Sequence, residues 1–167
     1  MVDGTNLANV MPRAERASHL QAKLADFGLT MKEKSSGFLG TPYWMAPELF
    51  HVGSKPSRQT DVYSFAITLF EMFTRKEPYG EHEDPEYVLE QLLLGTDAGE
   101  LMRPKLPPGL PAAVKKLIEQ CWHPEPMQRP SFPEIRSSVN AFDADQLGRW
   151  GPACVNSKGP FGIPVGF

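Results

Sequence analysis

The stretch Asp61 to Thr74, DVYSFAITLFEMFT, places apolar residues around most of a helical circumference. A helix with that pattern is buried on nearly all sides. Each large apolar side chain left in water forfeits about 1.5 to 3 kcal/mol, so the rest of the chain must surround it. Of 167 residues, 17 are proline and 14 glycine. The surrounding elements are therefore short and punctuated by turns. A length of 167 residues is one domain at most, or part of a larger one.

Thr60 is read as the N-cap of this central helix. Asp84-Pro85 offers an N-cap and a first-turn proline for a second helix, running to about Leu94. Arg103 to Pro108 is a proline-rich connector, and Pro111 opens a third helix. There Val114, Leu117, Ile118, Cys121 and Trp122 make one apolar stripe, ended by His123-Pro124. A fourth helix starts at Ser131, with capping-box spacing to Glu134 and Phe132, Ile135, Val139 and Phe142 on one face. Upstream, Gln21 to Ala25 alternates like a short strand, and Asp26 to Pro56 is a long loop broken by glycine and proline. Three regions follow: an irregular lead-in over 1–20, a helical body over 21–145 and a Gly/Pro-rich, poorly ordered tail over 146–167.

Charge and composition narrow the function. A net charge of -3 excludes a strongly basic nucleic-acid binder. No apolar run reaches the roughly 18 to 20 residues of a membrane span. The first residues, MVDGTNLANVMPRAERASH, lack an apolar signal core. Two cysteines, Cys121 and Cys154, make no disulfide scaffold. A cytoplasmic protein that binds neither nucleic acid nor membrane is the expectation.

Six ordered motifs carry more. They are Lys23-Leu24-Ala25-Asp26-Phe27-Gly28, Gly40-Thr41-Pro42-Tyr43-Trp44-Met45, Ala46-Pro47-Glu48, Asp61-Val62-Tyr63-Ser64-Phe65, Cys121-Trp122 and Arg129-Pro130-Ser131-Phe132. Together they resemble the large lobe of protein kinases, from the magnesium-binding loop through the tripeptide that closes the activation segment. The resemblance covers about Gln21 to Phe142. GTPYWMAPE is similar to serine/threonine kinases, and DVYSF, the Cys-Trp pair and RPSF look most like their tyrosine-kinase-like group. The implied fold is mainly α: a protein-kinase-like C-terminal lobe, incomplete, with a long activation-segment loop and little β. The implied activity is ATP-dependent phosphorylation of protein serine or threonine, with ATP and Mg2+ as the family's cofactors. Partners would be protein substrates or another kinase.

The resemblance assigns roles residue by residue. Asp26 would ligate magnesium, where otherwise it is a turn aspartate. Thr41 would orient the substrate hydroxyl; its plain alternative is a turn-capping threonine. Ser35 and Ser36 stand where activation-loop phosphorylation often occurs, or are solvated loop serines. Glu48 and Arg129 would form the structural ion pair between the activation segment and the helical body. Asp61 would brace the catalytic-loop backbone, and as a first-turn carboxylate it also suits the helix dipole.

Other parts of the family's machinery have no match in these residues. No Gly-rich loop, strand lysine or HRD tripeptide is found, and only 25 residues precede Asp26. Leu7-Ala8-Asn9-Val10-Met11 resembles the end of a catalytic loop, with Asn9 as the second magnesium ligand and Arg13 to His19 as an insertion. That register puts Gly4 where the catalytic Asp belongs, so no catalytic residue is identified. A start unrelated to the family fits equally well. The helix that normally packs on the Asp61 helix is also missing, which predicts apolar side chains left wet. These residues alone are expected to be inactive. The alternative is a non-catalytic, pseudokinase-like interaction module or an unstable truncated product.

Overall fold

The computed structural model describes residues 10–13, 21–25, 41–94 and 102–142. Four helices carry it: α1 (Arg58–Thr74), α2 (Pro85–Leu94), α3 (Ala112–Cys121) and α4 (Phe132–Asn140). Ahead of them β1 (Val10–Arg13) pairs antiparallel with β2 (Gln21–Leu24), Val10 opposite Leu24 and Arg13 opposite Gln21. The architecture is mainly helical with little strand. Neither residues 26–40, part of the expected activation-segment loop, nor the tail over 146–167 falls within the described residues.

Three departures from the sequence reading concern local structure. Residues 10–13 are strand and not irregular lead-in. Pro12 hides the strand signal, but a two-stranded hairpin has an open edge where a missing N–H costs nothing. Within the long loop, Pro42–Trp44 and Pro47–Phe50 form single turns of 3-10 helix. Each starts with a proline, whose fixed φ suits a first turn. Finally, α1 is capped by Ser57, not Thr60. The Ser57 hydroxyl accepts the Gln59 and Thr60 N–H groups at 3.2 and 3.3 Å. Thr60 reciprocates by accepting the Ser57 N–H at 3.0 Å. The added turn, Arg58-Gln59, is polar and so invisible to apolar periodicity.

The main core lies between α1 and α3. Val62, Tyr63, Ala66 and Ile67 meet Val114, Ile118 and Cys121, all without exposed surface. Every residue of the predicted α3 stripe is buried. The predicted wet face of α1 is not found: of its large apolar residues only Met72 is exposed. The 41–46 segment, α3 and Ile135 cover it. The α4 face holds only in part. Ile135 is buried, whereas Phe132 and Val139 are 42% and 41% exposed. A smaller cluster joins Tyr79, Val88 and Leu92 with Tyr43, Phe50 and Met102. Among the described residues no helix is long and apolar enough to cross a membrane.

Candidate functional site

The segment from Thr41 to Phe50 is anchored in two places, its first turn on α1 and Glu48 on Arg129. Thr41 is exposed and precedes the Pro42–Trp44 turn, which closes when the Trp44 N–H donates to the Thr41 carbonyl at 3.0 Å. The Thr41 hydroxyl makes no cap hydrogen bond, so the turn-capping alternative is not realised. Two side chains of α1 then hold the turn. The Trp44 indole donates to Glu71 Oε2 at 2.7 Å, and the Ser64 hydroxyl donates to the Trp44 carbonyl at 2.8 Å. Met45 and Ala46 follow, buried. A carboxylate on a nearly all-apolar helix needs a partner, and the indole N–H is one.

The other end is fixed by Arg129. Its Nη1 donates to Glu48 Oε1 at 2.6 Å and its Nη2 to Glu48 Oε2 at 2.9 Å, a two-pronged pair. Nη1 also donates to the Gln59 carbonyl at 3.0 Å, Nη2 to the Pro124 carbonyl at 3.3 Å, and Nε to the His123 carbonyl at 2.8 Å. All five guanidinium N–H groups are thereby used. The Arg129 side chain has no exposed surface and that of Glu48 is 26% exposed. A desolvated charge is tolerable only with this degree of pairing. The guanidinium also lies over the Tyr63 ring at 5.2 Å, with Arg103 over the same ring at 5.0 Å. Arg103 is anchored by donating from Nε and Nη2 to the Trp122 carbonyl at 3.1 and 2.7 Å.

Burial sets the titration behaviour here. It pushes the Cys121 thiol up to about 12, against a smaller opposing pull from Arg129. Burial also raises the Tyr43 phenol, helped by the carboxylates of Glu77 and Asp84.

The structure brings Glu48 and Arg129 together and places Thr41 at the exposed start of the same segment. Asp61 sits half-buried in the first turn of α1. Asn9, Asp26, Ser35 and Ser36 lie outside the described residues. Among the described residues no three His, Cys, Asp or Glu side chains gather as a metal site. The oxygen donors of Asp26 and Asn9 are the right kind for magnesium, a hard cation. Gln59, Glu71, Arg103 and Tyr79 were not singled out from sequence. For Glu71 a signal existed: it and Asp61 are the charged residues in the apolar stretch Asp61 to Thr74.

Residues 8–139 match the family described as protein tyrosine and serine/threonine kinase. The dual specificity protein kinase shkC of Dictyostelium discoideum is 37% identical over 130 residues, covering 73% of this chain and 24% of that protein. The probable serine/threonine-protein kinase pats1 of the same organism is 38% identical over 120 residues, 71% of this chain and 4% of its own length. Among solved structures, the cryo-EM structure of the AtMLKL3 tetramer superimposes with a TM-score of 0.65 at 25% identity, over 91% of this chain and 26% of that one. The chain belongs to the protein kinase family, and its relatives are serine/threonine and dual-specificity kinases of the tyrosine-kinase-like type. It spans a quarter or less of the length of the curated relatives it matches.

Proposed function

We propose that the described helical body is the platform that holds the protein substrate in ATP-dependent phosphorylation of serine or threonine, and that these 167 residues alone do not transfer phosphate. The observation that carries this is the anchorage of the Thr41–Phe50 segment by Trp44–Glu71 at one end and Glu48–Arg129 at the other. A segment held so firmly from beneath leaves its exposed edge, beginning at Thr41, for a ligand. Thr41 would accept and orient the substrate hydroxyl, the kind of positioning on which phosphoryl transfer mainly depends. Magnesium with ATP supplies the phosphoryl group and neutralises its charge. Asp26 and Asn9 would hold that ion. Phosphate on Ser35 or Ser36 would order the intervening loop by pairing with Arg or Lys.

A second reading, a non-catalytic interaction module, is favoured by one residue. In the register that makes Asn9 the magnesium ligand, Gly4 stands where a catalytic base is needed. Two measurements separate them. The 167 residues are incubated with Mg-ATP and a pool of Ser/Thr-centred peptides, alone and together with whatever coding sequence lies in frame upstream. The expected outcome is no transfer by the 167 residues, and transfer by the longer form that Asp26→Asn abolishes. Peptide binding with no transfer by either form would establish the module instead.

A further inference from the structure

We propose that Tyr79 is a positioning residue: it fixes Tyr43, and through it the Thr41–Trp44 turn, where the substrate peptide meets the helical body. This rests on the function proposed above and adds a residue that none of its motifs contains.

The backbone at Tyr79 is the first observation. In Glu77–Gly80 the Gly80 N–H donates to the Glu77 carbonyl at 3.2 Å, and Tyr79 has φ 61°. With Pro78 second and a positive φ third, this is the pattern of a type II turn, whose third place is normally glycine. A bulky aromatic side chain there is an outlier, and such a residue persists only when its surroundings hold it.

The contacts of the side chain are the second observation. Tyr79 is 1% exposed. Its ring meets Tyr43 edge-on, with centroids 5.6 Å apart and planes at 67°. Its hydroxyl donates to the Met102 carbonyl at 3.4 Å, so the ring is tethered from the segment after α2 as well. Tyr43 in turn stacks on Trp44, centroids 6.4 Å apart, and Trp44 is bound to Glu71. The turn that follows Thr41 is thus gripped from α1 through Trp44 and from the α1–α2 loop through Tyr79. Glycine at position 79 would relax the backbone and abolish the second grip.

That opposition of effects makes the test clean. Hydrogen exchange is followed on the full chain at the amides of Trp44 and Met45, whose N–H groups bond to the Thr41 and Pro42 carbonyls. In parallel, a fluorescein-labelled pool of Ser/Thr-centred peptides is titrated by anisotropy. In Tyr79→Gly, exchange at Trp44 and Met45 should rise about tenfold while the α3 amides keep their protection. Peptide affinity should fall about threefold to tenfold, the size of one lost aromatic pair. Tyr79→Phe keeps the ring against Tyr43 and loses only the long hydroxyl contact to Met102, so it should stay within about twofold of the wild type in both. Tyr43→Leu, which leaves the strained turn alone, should reproduce the local loosening. Unchanged exchange at Trp44 and Met45 in both ring-deleting variants, or equal loosening throughout α3, overturns the proposal. If the wild type binds no peptide yet the exchange pattern holds, the failure lies with the proposed function and not with Tyr79.

Discussion

Arg129 shows why its residue type is fixed. Its five N–H groups are filled by four different residues in three parts of the chain, and its charge is out of water. Lysine has only three donors on a point charge and cannot reproduce the fork. Arg129→Ala should therefore cost about 3 to 5 kcal/mol in urea unfolding, the usual loss on breaking a buried pair from one side. Arg129→Lys should suffer most of that loss. A lysine variant as stable as the wild type would mean that the fork geometry is unimportant. The second prediction concerns Cys121, a buried free thiol held up to about 12. In a Cys154→Ser background it should resist iodoacetamide at pH 8 and react only on unfolding, because the thiolate is the reactive form. The Glu48–Arg129 partnership was legible only through motif resemblance. The two lie 81 positions apart, and no periodicity links residues at that range. The Trp44–Glu71 bond and the Tyr43–Tyr79 ring contact went unread for the same reason, since each joins residues far apart in the chain.

The helices were legible as elements because their signals are local. Asp84 caps α2 by accepting the Glu86 and Tyr87 N–H groups at 2.9 and 3.2 Å, as its place before Pro85 implies. At α4 the Glu134 carboxylate accepts the Ser131 N–H at 2.7 Å and the Ser131 hydroxyl at 2.6 Å. These two bonds hold the Glu134 carboxyl below its ordinary range. A group depressed in the folded state adds stability above its unfolded value, about 4.3 for Glu, and loses it as pH falls through the folded value. The α4 N-terminus should therefore loosen on acidification in the wild type. Glu134→Gln should show a flatter pH dependence in thermal melts between pH 7 and pH 3; parallel curves would refute the assignment. Ser57→Ala should cost about 1 kcal/mol, the value of an N-cap. Thr60 was the wrong cap in the sequence reading because a polar first turn leaves no apolar imprint. The strand β1 was missed because a short segment containing proline carries too little pattern.

At the scale of the molecule, the decisive element is α1. Its sequence demanded burial all round, and the sequence reading, which found no match for the family's usual neighbour helix, expected a wet face. The structure resolves the conflict by laying the Thr41–Ala46 segment and α3 against it, so that Tyr63, Ile67 and Phe70 are 1% exposed or less. Sequence alone could not foresee this, because how a long irregular segment folds back depends on hydrogen bonds such as Ser64 to Trp44. The consequence is measurable. Ile67 has no exposed surface, and Ile→Ala in a core costs about 2 to 5 kcal/mol, a large share of the roughly 5 to 15 kcal/mol that holds a domain folded. At about 2 to 4 °C per kcal/mol for a chain of this size, Ile67→Ala should lower Tm by about 10 °C. Val139 is 41% exposed, so Val139→Ala should change Tm by only about 2 °C or less. A cooperative melt with that contrast marks α1 as the packed axis of a folded lobe. Equal small shifts from both variants would mean that α1 is not surrounded in solution, and that its neighbours must come from further chain or from a partner.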